Sequence, residues 1–289
     1  MKNRIISSVF FGMTIIYMSG CASLTGMNKS SNLVQCTSMV SNASYTGPYK
    51  GVDNNLDSTD LSRDIYCANY FKKNKYPNGF VTIYGSSRIN EKNSLPETDA
   101  AKANTKIYQE TMSFAEKWTA TGYGKRYPIM TGAGPGIMEA GSRGATQAGG
   151  PSIGYTTYYD PYPRGDAIDA FWKYNGQQIT SDGLIFSSVG IREYMMILHS
   201  AAIVIAPGGT GTEWETFQIL ESIKSNQLKK VPIYLVGNKE AHWESFYRRL
   251  DDMVRRGTIK KDEVFSHFIH VDSMNDLFGL LEHDLIKQY

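Results

Sequence analysis

Pro207-Gly208-Gly209-Thr210-Gly211-Thr212-Glu213-Trp214-Glu215 follows the apolar run Ala201–Ala206 and precedes the helical pattern Phe217-Gln218-Ile219-Leu220-Glu221. A buried strand that breaks at Pro-Gly-Gly and restarts as a helix exposes free backbone N–H groups at the helix N-terminus. Those donors and the helix dipole together favour an anion. Glycine lets the backbone approach a phosphate with no Cβ in the way. Glu213 and Glu215 follow within one helical turn and add two carboxylates. The stretch therefore predicts a strand–turn–helix unit with an anion cradle and an acid/base group beside it.

The same alternation extends in both directions. Strands are predicted over 80–84, 127–130, 152–158, 183–186, 202–206, 231–236 and 268–271. Helices are predicted over 60–73, 98–121, 137–148, 191–200, 212–225 and 241–256. Strands alternating with helices imply a doubly wound, Rossmann-like parallel sheet with helices on both faces. Right-handed crossovers then gather every strand-to-helix turn along the carboxyl edge. The expected α/β class is a single domain over 61–289.

Ahead of it lie two other segments. Lys2 and Arg4 precede an apolar run from Ile5 to Tyr17, which is short for a membrane span and reads as a signal over 1–20. Met18-Ser19-Gly20-Cys21 resembles a bacterial lipobox, so Cys21 is the expected lipidation site. Ala22 after that cysteine resembles the default for outer-membrane sorting, which implies a lipid-anchored protein facing the periplasm. Residues 21–60 are rich in Ser, Asn, Thr and Gly and read as a flexible tether. The other cysteines, Cys36 and Cys67, could form a bridge in an oxidising compartment or stay as unpaired buried thiols.

Composition excludes some partners. A formal charge of +2 with no dense Lys/Arg block gives no footprint for nucleic acid, so the membrane contact expected is the lipid anchor alone. No metal-ligand spacing occurs, and His267-x-x-His270 is too little for a site. Gly132-Ala133-Gly134-Pro135-Gly136 opens a helix after a strand, yet Ile137 stands where a dinucleotide fingerprint needs glycine. No lysine follows Gly211 as a Walker A loop requires. No metal or redox cofactor is expected. The aromatic segment 155–182, with Tyr158, Tyr159, Tyr162, Phe171, Trp172 and Tyr174, is expected to form an interface or a lid.

Pro-Gly-Gly-x-Gly-Thr-x-x-Glu, here Pro207 to Glu215, resembles the signature of the LOG family, proteins long mislabelled as lysine decarboxylases. Gly85-Ser86-Ser87, the stretch Gly132 to Ala140, and Arg192 match as well, so the resemblance spans residues 79–237. It implies a homodimeric nucleoside 5′-monophosphate phosphoribohydrolase acting on an AMP-like ligand. The implied ligand-binding residues are Gly208, Gly209, Thr210, Gly211, Thr212, Gly85, Ser86, Ser87, Gly132, Gly134, Gly136 and Glu139. Arg192-Glu193 departs from the family's usual Arg-Lys, and the signal peptide departs from its usual cytosolic setting.

The chemistry can be argued from the residues too. Cleaving an N-glycosidic bond passes through an oxocarbenium-like state that needs an anion, an activated water and help for the leaving base. Glu215 is the candidate general base or cation stabiliser. Arg192 is the candidate for holding a phosphate or ribose oxygen, or else for pairing with Glu215 across two helices. The alternative function is a nucleotide-binding lipoprotein of the same fold without catalysis.

Overall fold

The structure is a computed structural model that describes residues 36, 38–40, 43–47, 53–91, 99–157 and 173–287. The predicted signal over 1–20, Cys21 and most of the aromatic segment lie outside the described residues.

Eleven strands are described: β1 Ser38–Val40, β2 Ala43–Tyr45, β3 Phe80–Tyr84, β4 Ile129–Thr131, β5 Ser152–Thr157, β6 Lys173–Tyr174, β7 Gln177–Gln178, β8 Asp182–Phe186, β9 Ser200–Ile205, β10 Ile233–Val236 and β11 Phe268–Val271. The main helices are α1 Ser58–Lys75, α2 Asp99–Ala120, α3 Tyr123–Arg126, α4 Ile137–Gln147, α5 Val189–His199, α6 Thr210–Lys224, α7 Glu244–Arg255 and α8 Met274–Glu282. All seven expected strands are present, their ends shifted by up to two residues. α3 and α8 were not anticipated.

Nine strands form one sheet in the order β1-β2-β8-β5-β4-β3-β9-β10-β11. Every pairing in it is parallel except β1 with β2. β6 and β7 make a separate hairpin. From central β3 the chain winds outward through β4 and β5 to β8, then returns to lay β9 on the other side of β3. The direction of winding reverses there, so a crevice opens between the carboxyl ends of β3 and β9.

Strand periodicity builds the two cores. Along β9, Ala202 and Val204 face one side while Ile203 and Ile205 face the other. One layer packs Phe114 and Trp118 of α2, Ile137 of α4 and Leu277 of α8 against the first set. The opposite layer packs Phe71 of α1, Met195 and Met196 of α5, Ile219 of α6 and Phe246 of α7 against the second. Each fully buried aliphatic side chain contributes about 1.5–3 kcal/mol, so this two-sided burial sets the architecture.

The expected tether over 21–60 needs correction at its far end. β2 adds a parallel strand beside β8, and the Thr46 N–H donates to the Ile185 carbonyl at 3.0 Å. α1 then starts on a capping box in which the Asp57 carboxylate accepts the Asp60 N–H and the Asp60 carboxylate accepts the Asp57 N–H. Of the two states left open for the cysteines, the bridge is the one formed: Cys36 is bonded to Cys67 of α1.

Candidate functional site

A cavity of about 680 Å³ sits at the crevice between β3 and β9. Three turns converge on it, as the wiring requires. Gly85, Ser86, Ser87 and Arg88 come from the turn after β3; Gly132, Gly134 and Pro135 come from the turn after β4; Gly209 to Thr212 come from the turn after β9. α5 supplies Val189, Arg192 and Glu193, and α6 supplies Trp214 and Glu215. Backbone hydrogen bonds lock the first and third turns together: Ala206 N–H to Tyr84 O at 2.9 Å and Ser86 N–H to Pro207 O at 3.1 Å.

Two glycines are required by close approach. Gly136 has φ +72°, and a Cβ there would lie 2.3 Å from the Ser86 carbonyl oxygen. It lets α4 start against the β3 turn, where Ile137 N–H donates to Ser86 O at 3.0 Å. A Cβ on Gly132 would lie 2.5 Å from Nη1 of Arg192, so Gly132 makes room for the guanidinium.

α6 begins at Gly209 with no side-chain cap. Its first residues line the cavity, so its N-terminal dipole is directed at whatever binds there. Gly208 and Gly209 play different parts in the turn. Gly209 is extended at φ −100°, and a Cβ on it would meet open space. A Cβ on Gly208 would lie 2.0 Å from the Thr212 hydroxyl oxygen, so Gly208 is needed for the fit of the turn itself.

Glu215 stands on the second turn of α6, is partly buried and lines the cavity. Desolvation pushes its carboxyl up to about 8, against the opposing pull of Arg192. The same surroundings raise the fully buried Tyr84 phenol, through burial first and then the Glu215 charge. Tyr84, Glu215 and Arg192 thus share one electrostatic neighbourhood below the cavity.

The alternative of an ion pair between Arg192 and Glu215 is not formed. Nη2 of Arg192 pairs with Oε1 of the adjacent Glu193, and its Nη1 donates to the Tyr155 carbonyl at 3.3 Å. Both residues are nearly sealed, at 5% and 2% exposure. Glu193, noted in the sequence only as a departure from a family pattern, is therefore part of the cavity wall.

Three residues expected to bind the ligand do not line the cavity: Gly136, Gly208 and Glu139. Glu139 accepts from the Tyr108 hydroxyl at 2.5 Å and pairs with Arg143 at 3.5 Å. Arg143 in turn lies 3.8 Å from the centre of the Tyr174 ring and 3.1 Å from Glu91. The i,i+4 pair is thus a clamp on the β6–β7 hairpin. Trp214, 44% exposed at the cavity rim, escaped the sequence reading because nothing in its spacing separates it from an ordinary surface aromatic.

Residues 138–281 match the protein family described as "Possible lysine decarboxylase". Over these residues the chain matches a LOG-like family domain. The matching region includes Arg192, Glu193 and the whole Pro207–Glu215 turn and begins after the β3 and β4 turns that complete the cavity. No curated protein matches the sequence significantly. Among solved structures, the molybdenum cofactor binding protein from the phototrophic bacterium Rippkaea orientalis is 16% identical, with a TM-score of 0.42 over 71% of this chain and 95% of that one. The molybdenum cofactor carrier protein from Chlamydomonas reinhardtii is 17% identical, with a TM-score of 0.44 over 72% of this chain and 98% of that one. DNA processing protein A from Streptococcus pneumoniae is 13% identical, with a TM-score of 0.39 over 70% of this chain and 61% of that one.

Proposed function

We propose that this LOG-like protein hydrolyses the N-glycosidic bond of a nucleoside 5′-monophosphate, releasing the free base and ribose 5-phosphate. The observation that carries the reading is Glu215. Its carboxyl, pushed up to about 8, stands one turn into the helix whose uncapped N-terminus opens on the same cavity. The cavity has the volume of a nucleotide site.

In this reading the phosphate lies against the N–H groups at the start of α6, and Arg88 on the rim adds a cation. The C1′–N bond breaks and its electron pair leaves with the base, which takes up a proton. Water supplies the hydroxyl to C1′. Glu215 as carboxylate takes the proton from that water or faces the developing positive charge on the sugar. Among the described residues the cavity lining holds no lysine to anchor an aldehyde cofactor, which supports hydrolysis over the decarboxylation in the family's description. The wider proposal is a homodimer held on the cell envelope by lipid on Cys21, facing the periplasm. Cys21→Ser should then move the protein from the membrane fraction to the soluble one.

The test is to incubate the oxidised chain with a panel of nucleoside monophosphates and assay ribose 5-phosphate. Release from one member, abolished in Glu215→Gln, is the expected result. A second reading, ligand binding without turnover, is favoured by Glu193, which neutralises Arg192. Tight binding with no release from any monophosphate would replace the first reading with the second.

A further inference from the structure

Arg192 and Glu193 satisfy each other only in part. Nη2 and Oε1 are paired, but Nε of Arg192 and Oε2 of Glu193 are buried with no hydrogen-bond partner. A buried charged group left short of partners costs far more than an exposed one, so such a pair calls for something to complete it. Both residues line the cavity, and the Arg192 guanidinium is held in place. Gly132 leaves just enough space for the guanidinium, and the Tyr155 carbonyl holds its Nη1.

The unfilled groups are one donor and one acceptor on a pair with no net charge. A phosphate oxygen would suit the donor and be repelled by Oε2. An ammonium group would suit Oε2 and oppose the guanidinium. A neutral group that both accepts and donates suits both, and a hydroxyl is the simplest of these.

We propose that Glu193, paired with Arg192, is a specificity residue that reads a ribose hydroxyl of the ligand. This rests on the nucleotide reading of the cavity given above. It assigns the two ends of the ligand to different walls: phosphate to the start of α6, and the sugar hydroxyls to α5. Arg192 is then a sugar-side group, and Glu193 excludes ligands with an anionic group at that position.

The experiment is calorimetric titration of the full-length, disulfide-bonded chain with AMP, 2′-deoxy-AMP and 3′-deoxy-AMP. A hydrogen bond to a charged group corresponds to roughly 10- to 150-fold in affinity. The wild type should bind AMP at least about tenfold more tightly than one deoxy analogue. Glu193→Gln, which keeps the shape and removes the charge, should narrow that ratio, and Glu193→Ala should bring it to within about twofold. A purely structural role for Glu193 would weaken all three ligands together and leave the ratio unmoved, which overturns the proposal. The wild-type ratio decides the matter even if Glu193→Ala does not fold: equal binding of all three ligands overturns it without any variant. Failure of every nucleoside monophosphate in the release panel to bind overturns the nucleotide reading too, whereas binding without hydroxyl discrimination overturns only the role of Glu193.

Discussion

α5 and α6 begin in the same way, at the end of a parallel strand on the carboxyl edge of one sheet, yet their N-termini are treated in opposite fashion. At α5 two of the four leading donors, those of Ser188 and Ile191, are taken by side chains of the protein itself. Ser188 Oγ accepts the Ile191 N–H at 3.3 Å, and the buried Asp64 carboxylate from α1 accepts the N–H groups of Ser187 at 3.0 Å and Ser188 at 2.9 Å. The Thr46 hydroxyl adds a further donor to Asp64 at 2.5 Å. At α6 there is no side-chain cap, and the first residues face a cavity. An internal anion occupies the cap of one terminus and the other has no such partner. A helix N-terminus on such an edge becomes a site only where the fold supplies no carboxylate of its own.

The comparison can be broken most severely at its chemical end. Glu215→Gln on α6 should lower ribose 5-phosphate release by about 10²–10⁴-fold while leaving monophosphate affinity within a few-fold. Retained turnover would remove Glu215 from the reaction.

Converting the open terminus into a closed one is the next largest effect. Gly209 is extended and has room for a side chain, so Gly209→Asp should cap α6 much as Asp64 serves α5. Affinity for a nucleoside monophosphate should fall by about 100-fold, from one lost charge-assisted hydrogen bond plus repulsion. Thermal stability should hold or rise slightly, because Asp in place of Gly at an N-cap contributes a few tenths of a kcal/mol. Calorimetry with the monophosphate and the unphosphorylated nucleoside separates the two: equal losses for both ligands would mean that the turn does not hold phosphate.

Opening the closed terminus should harm the fold. Asp64→Ala leaves the Ser187 and Ser188 backbone donors without their acceptor, and about 3 kcal/mol of stability should go with it. A melting temperature lower by roughly 6–12 °C is expected for a domain of this size. An unchanged melting temperature would show that water replaces the carboxylate and that α5 is not closed in the sense argued.

The gentlest probe is pH. Glu215 has its carboxyl raised from the ordinary range to about 8 in the folded state, so folding favours its protonated form. Relative to Glu215→Gln, stability should be fully retained below about 4.5, decline as pH rises towards about 8, and level off above it. A reaction that uses the carboxylate should show kcat/KM rising about tenfold per pH unit below that point and flattening above it. A profile flat from pH 6 to 9 would mean that Glu215 is ionised throughout or uninvolved.

Much of this arrangement was legible in the chain. The strands that build the sheet are dense in β-branched and aromatic residues, and glycine turns punctuate them, so their order and their shared edge followed directly. Gly85, Ser86, Ser87, Gly132, Gly134, Arg192, Glu215 and the 209–212 turn all reached one cavity because topology, not side-chain detail, brings them together. What escaped depended on contacts far apart in sequence. Glu139 and Arg143 look like an exposed helical pair until Tyr174 and Glu91 close over them. Asp64 is one of two acids on a polar helix, and only folding sets it under α5, 123 residues away from its Ser187 partner. Glu193 could be seen as unusual, but its pairing with its own neighbour depends on rotamers that no spacing rule encodes.

The bridge from Cys36 to Cys67 has a consequence for how the protein is prepared. It ends on the helix that carries Asp64, Asp64 holds the start of α5, and α5 carries Arg192 and Glu193. Material from a reducing host and material from an oxidising one are thus two different samples as far as the cavity is concerned. A blank assay on the reduced form would report on the host cell's redox chemistry rather than on the protein's own capacity.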